Sequence, residues 1–172
     1  HNYREFLELY RISGQYPYAY NFKTNRKIVI WCSNDYLGMG QNNSVINALK
    51  QSVDKYGVGA GGTRNISGNS HPIVQLENDI AALHKKEAAL IFTSGYVANY
   101  TAIKTLVKIL KDVVIFSDAG NHASIIDGIN ASGVKKEIFK HNSMQDLEEK
   151  LKLHPQESKK LIVFESVYSM DG

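Results

Sequence analysis

The sequence predicts an α/β fold: a mainly parallel sheet with helices on both faces. Three observations carry this. From residue 88 onward, short apolar runs and amphipathic stretches alternate, strand then helix, four times, which is the pattern of parallel strands joined by crossover helices. The chain has 172 residues, 43% of them hydrophobic and 22% charged, enough for a core of its own. Polar residues also follow the apolar runs, at positions where open α/β sheets bind their ligands.

The elements follow in order. In "SVINALKQSVDKY" (44–56), Val45, Leu49, Val53 and Tyr56 share one helical face and Ser44 is the expected N-cap. A second helix is predicted to begin near Pro72, with Ile73, Leu76, Ile80 and Leu83 on its buried side. "AALIFTSG" (88–95) reads as a strand and "YVANYTAIKTLVKIL" as a helix. "DVVIFSD" is the next strand, then "HASIIDGINAS" a helix, "KEIFKHN" a strand and "SMQDLEEKLKLH" a helix. "KLIVFESVYSMDG" closes as a strand with its exit loop. The polypeptide is expected to continue beyond Gly172, because a site at the strand ends would be completed there.

Composition excludes several classes. No apolar run approaches the roughly 20 residues of a membrane span; the longest, such as Ala88–Phe92, are far shorter. Cys32 is the only cysteine, so internal disulfides and multi-cysteine metal sites are excluded. The histidines show neither HExxH nor paired-ligand spacing, so no metal site is expected. A net charge of +3 tolerates an anionic substrate but gives no argument for nucleic acid.

The stretch "GVGAGGTRNISGNSH" (57–71) contains G-x-G-x-x-G at Gly57, Gly59 and Gly62. A dinucleotide loop needs a strand before it and a helix after it, whereas here a helix precedes. The residues leave open a flexible loop or a ligand loop, in which Thr63, Arg64 and Asn65 offer donors to a carboxylate. At Ser94-Gly95-Tyr96 a strand is expected to turn into a helix, which makes either an ordinary capped turn or an anion site for a phosphate. His122 stands at a helix start, and Glu165 ends an apolar strand, where an unpaired carboxylate would be costly. Two T-x-x-K matches, ending at Lys104 and Lys108, lie inside one helix and read as a solvated basic stripe with Lys111.

Together, "WCSNDYLGMG" (31–40), "GGTRNISG" (61–68), "SDAGNHASIIDGI" (117–129), "IFKHN" (138–142) and "FESVYSMDG" (164–172) resemble the α-oxoamine synthases. These are pyridoxal-phosphate enzymes of the aminotransferase type-I fold. The likeness is to the branch that condenses glycine with succinyl-CoA, releases CoA and carbon dioxide, and forms 5-aminolevulinate for tetrapyrrole synthesis. It implies an N-terminal segment over 1–43 and the first part of the large cofactor-binding domain over 44–172.

The resemblance also implies roles. His122 matches the histidine that stacks on the pyridine ring, and Glu165 an acid near that ring. Ser94, Gly95 and Tyr96 match the turn that holds the cofactor phosphate. Asn34 and Ser169 match residues near the glycine carboxylate and the cofactor. Arg4, Thr63 and Asn65 match those that hold the succinyl carboxylate, and Ser117 and Lys136 match contacts to the CoA substrate. The Schiff-base lysine, the aspartate that pairs the pyridine nitrogen and its neighbouring histidine all fall beyond Gly172, so the 172 residues alone are expected to be inactive. A homodimer with the site at the interface is implied, in a bacterial cytoplasm or a mitochondrial matrix. The alternatives are other members, such as 2-amino-3-ketobutyrate CoA ligase, 8-amino-7-oxononanoate synthase and serine palmitoyltransferase, or a non-catalytic binding module.

Overall fold

The computed structural model describes Tyr3 and residues 5–172. Arg4 lies outside the described residues. The chain forms two compact units, the first ending at Ser70 and the second spanning His71–Gly172. The first helix, Asn43–Tyr56, lies in the first unit, where it packs on the 3-10 turn Met39–Gln41 that precedes it.

The first unit opens with an antiparallel three-stranded sheet, β1 (Leu9–Arg11), β2 (Tyr18–Asn21) and β3 (Lys27–Val29). The register pairs Tyr10 with Tyr20 and Ala19 with Ile28. Ala19 is the buried residue of this sheet. Helix α1 (Asn43–Tyr56) follows, one residue longer than expected. Asn42, not Ser44, caps it: the Asn42 carboxamide oxygen accepts from the Ser44 N–H at 2.9 Å.

In the second unit, α2 (His71–Leu83) forms where expected, but its apolar stripe is not covered. Leu76, Ile80 and Leu83 are exposed and Ala81 is its buried residue. Periodicity fixes which residues share a face; burial needs an element to cover it. Residues 88–92, expected as a strand, are irregular. A strand exists only in a ladder, and here the Ile91 N–H donates to the Glu77 carboxylate at 2.8 Å.

The remaining elements match the alternation. Helix α3 (Gly95–Leu110) leads to β4 (Val113–Asp118), α4 (Ala123–Ser132), β5 (Lys136–Phe139), α5 (Met144–Lys152) and β6 (Lys159–Val163). The sheet is parallel, in the order β5-β4-β6. Along β4 the side chains alternate between two cores. Val113 and Ile115 pack with Ile103 and Val107 of α3 and with Ile125 and Ile129 of α4. Phe116 packs with Phe139 and with Leu147 of α5. The result is helix, sheet, helix in three layers.

Topology then fixes where a ligand can go. β4 connects through α4 to β5 on one side, and the chain crosses back over β4 to reach β6 on the other. The strand order therefore reverses at β4, and the crevice opens between the carboxyl ends of β4 and β6. No described helix is long and apolar enough to cross a membrane.

Candidate active site

The crevice is built from the loops that leave β4, β5 and β6, and from the start of α3. After β4 the chain turns through Asp118, Gly120 and Asn121 to His122, which caps α4. The His122 backbone N–H donates to the Glu165 carboxylate at 2.5 Å, so the exits of β4 and β6 are joined directly. These two residues are the ones expected at strand ends, and the fold brings them together.

The imidazole of His122 is exposed. Its Nδ1 accepts from the Ser124 N–H at 3.2 Å and lies 2.7 Å from the Ser124 hydroxyl. That hydroxyl also accepts from the Asn99 carboxamide at 3.0 Å. With Nδ1 accepting from the Ser124 N–H, a neutral ring carries its proton on Nε2. Tyr96 meets the His122 ring edge-on, with centroids 6.1 Å apart.

Ser94 caps α3, its hydroxyl accepting from the Val97 N–H at 3.2 Å. The N–H groups of Gly95 and Tyr96 then have no partner inside the helix. Space around Gly95 is open: a Cβ built there would meet no atom within 4 Å. A 16-residue helix begins with two free donors and its dipole behind them, which suits an anion. The Tyr96 hydroxyl is hydrogen-bonded to the Asp127 carboxylate, and that bond holds the phenol above its usual range.

Beneath His122 lies a cluster that sequence reasoning did not single out. Asp118 is 3% exposed and its carboxylate accepts three hydrogen bonds. They come from the Gly120 N–H (2.7 Å), the Asn142 N–H (2.9 Å) and His141 Nδ1 (2.7 Å). Burial pushes this carboxyl up, but His141 and the two N–H groups outweigh it and hold the group below its ordinary value. Asn121 donates to the Ser117 hydroxyl at 2.9 Å and to the Val163 carbonyl at 2.8 Å, tying β4 to β6. A usable signal was present: Asp118 and His141 each stand one residue beyond an apolar run in the sequence, as Glu165 stands directly after one.

The other expected residues are placed less centrally. Ser117 is buried, its hydroxyl donating to the Asp118 carbonyl at 3.3 Å. Lys136 is exposed and hydrogen-bonded to the Asn130 carboxamide. Both line a small cavity of about 70 Å³ with Asn130 and Ile138. Ser169 is exposed in the loop after β6. A larger cavity of about 600 Å³ is lined by Asp118, Phe139, Phe164, Glu165 and Tyr168 among others.

In the first unit, Asn34, Thr63 and Asn65 are exposed. Thr63 opens a π-turn, Arg64–Gly68, and its carbonyl accepts from the Gly68 N–H at 2.8 Å. The glycines here serve the loop's own geometry: a Cβ on Gly68 would fall 1.9 Å from the Gly62 carbonyl oxygen. Among the described residues, no group of three His, Cys, Asp or Glu side chains is placed to hold a metal ion.

The family model described as aminotransferase class I and II matches residues 26–172. The chain belongs to that family. Among curated members, the chain is 52% identical over 172 residues to the 5-aminolevulinate synthase of Bradyrhizobium diazoefficiens, covering 99% of this chain and 42% of that one. It is 52% identical over 171 residues to the mitochondrial 5-aminolevulinate synthase of Debaryomyces hansenii, covering 99% of this chain and 30% of that one. The chain thus spans well under half the length of these relatives. Among solved structures, it is similar to a serine palmitoyltransferase from S. paucimobilis with a PLP–myriocin aldimine bound. That match has a TM-score of 0.83 and 31% identity, covering 95% of this chain and 40% of that chain.

Proposed function

We propose that this chain forms part of a 5-aminolevulinate synthase, which condenses glycine with succinyl-CoA and releases CoA and carbon dioxide. The observation that carries the reading is the identity to 5-aminolevulinate synthases, 52% over essentially the whole chain. The crevice between β4 and β6 supports it, because its donor set fits pyridoxal 5'-phosphate. Two helix N-terminal N–H groups suit a phosphate, and an exposed imidazole stands beside a carboxylate held by the backbone.

In this reading Gly95 and Tyr96 bind the phosphate through their N–H groups, with Ser94 shaping the turn. His122 offers its ring to the cofactor's aromatic face. Glu165 fixes the backbone of His122 and supplies negative charge beside it. The cofactor supplies an electron sink for the pair left when glycine loses a proton. Asn34 and Ser169 orient the glycine carboxylate. Arg4, Thr63 and Asn65 supply donors for the succinyl carboxylate, whereas a long acyl chain would require an apolar lining. Ser117 and Lys136 meet the CoA moiety, Lys136 as a point charge. The enzyme works as a homodimer with the site at its interface, in a bacterial cytoplasm or a mitochondrial matrix.

The test is acyl selectivity in the full-length protein. Arg4→Leu and Thr63→Val should each weaken use of succinyl-CoA, by about tenfold for a lost hydrogen bond to a charged group. A neutral acyl-CoA of similar length should be affected far less. Equal losses for both acyl donors would overturn the carboxylate assignment.

A further inference from the structure

We propose that His141, as an imidazolium held between two carboxylates, is a positioning residue that sets the placement of His122 and Glu165. His141 follows β5 and belongs to none of the contacts expected with substrate or cofactor. Its Nδ1 lies 2.7 Å from Asp118 Oδ1, and its Nε2 lies 2.9 Å from Asp171 Oδ2 in the loop after β6. Both partners are carboxylates, and a protonated ring can donate to both at once. The Asn142 carboxamide also lies 3.1 Å from Nε2, but a carboxylate is the stronger partner for an N–H.

From this ring a closed circuit can be followed. Asp118 accepts from the Gly120 N–H, two residues before His122. The His122 N–H donates to Glu165. The Glu165 N–H donates to the Tyr168 hydroxyl at 3.2 Å. Tyr168 is 5% exposed, and its ring meets the His141 ring edge-on with centroids 4.4 Å apart. The Gly172 N–H donates back to the Tyr168 carbonyl at 3.0 Å, beside Asp171. Three strand-exit loops are therefore held by one ring. The seat is close: a Cβ on Gly120 would stand 2.5 Å from His141 Nδ1.

The titratable groups facing His141 are Asp118 from β4, and Asp171 and Tyr168 from the loop after β6. The hydrogen bond from His141 to Asp118, helped by Asp171 and only partly opposed by burial, holds the imidazole above its usual 6.5. The bridge is then complete below 6.5 and is lost as pH rises through the raised value. The role in catalysis rests on the proposed function; the circuit itself does not.

The test uses histidine side-chain NMR of the full-length protein without cofactor. Both ring nitrogens of His141 should carry protons below pH 6.5. Asp171→Asn should lower its titration midpoint, and His141→Gln should shift the His122 resonances. Asp171→Asn removes one arm only, so it keeps the proposal testable if His141→Gln does not fold. With cofactor and substrates, the alkaline limb of the kcat profile should move to lower pH in Asp171→Asn, and His141→Gln should lose on the order of 10–100-fold in kcat. A His141 already neutral below pH 6.5, or His122 resonances unmoved by both variants, overturns the proposal. NMR shifts as expected in a protein that makes no 5-aminolevulinate would uphold the circuit and sink the functional reading instead.

Discussion

Gly128 lies where α4 crosses α3, and replacing it tests how closely the layer behind the sheet is packed. A Cβ there would stand 3.1 Å from both the Cα and the carbonyl oxygen of Tyr100, and 3.3 Å from Ile103 Cβ. Comfortable carbon contacts are about 3.5–4.0 Å. The obstruction is mainly backbone, so α3 as a whole must yield by a few tenths of an ångström. Such overpacking costs about 1–3 kcal/mol. Against this, alanine is favoured over glycine inside a helix by about 1 kcal/mol. The two effects leave Gly128→Ala destabilising by about 1 kcal/mol. Valine brings two more methyl groups into the same gap and regains only about 0.4 kcal/mol of propensity. Gly128→Val should therefore cost about 2–3 kcal/mol. Amide hydrogen exchange of the full-length protein reads this locally. Protection in α3 and α4 should fall about fivefold for alanine and about 30–150-fold for valine, since 1.4 kcal/mol is a factor of 10. Increased protection in Gly128→Ala would refute the close crossing, because propensity would then outweigh contact.

Other outcomes follow from the same geometry. Ser94→Ala removes the cap from α3 and should lower the stability of its first turn by about 1 kcal/mol, read by hydrogen exchange of residues 95–98. It should also weaken phosphate-ester binding, because the turn that aims Gly95 and Tyr96 is loosened. Glu165→Gln keeps an oxygen for the His122 N–H, so backbone exchange at residue 122 should be unchanged while activity falls; fast exchange there would show that the charge itself holds the turn. The strand-exit loops should be best ordered between two limits of pH. The Asp118 contribution is present above its ordinary 3.8 and lost as pH falls through its depressed value. The His141 contribution is present below 6.5 and lost as pH rises through its raised value. Exchange rates of residues 164–172, corrected for intrinsic pH dependence, should be lowest in that window.

Much of the fold is legible in the sequence, and the exceptions have physical causes. From α3 to β6 every element was readable, because each alternation of apolar runs is matched by a layer that buries it. Residues 88–92 look like a strand for the same reason, but apolar character cannot supply a ladder partner, and Glu77 takes the Ile91 donor instead. The stripe of α2 is readable as a face, yet nothing in the sequence says whether that face is covered. The β1–β3 sheet was missed because its strands are three and four residues long and carry no run of alternation.

At the candidate site, the strand-end rule picked out Ser94, His122 and Glu165. It passed over Asp118 and His141, because a lone aspartate and a lone histidine each look structural until the sheet order puts them 2.7 Å apart. Ser117 is conspicuous in its motif; its hydroxyl is buried and engaged by Asn121, and the residue lines a small cavity with Lys136.

The central claim is met most directly by product formation. The full-length protein, given pyridoxal 5'-phosphate, glycine and succinyl-CoA, should release 5-aminolevulinate, CoA and carbon dioxide in equal amounts. His122→Ala should lower that rate by about 100-fold, the scale expected when a positioned group is lost from a reacting centre. A folded, cofactor-loaded protein that releases no 5-aminolevulinate, or a His122→Ala variant that releases it undiminished, would contradict the account.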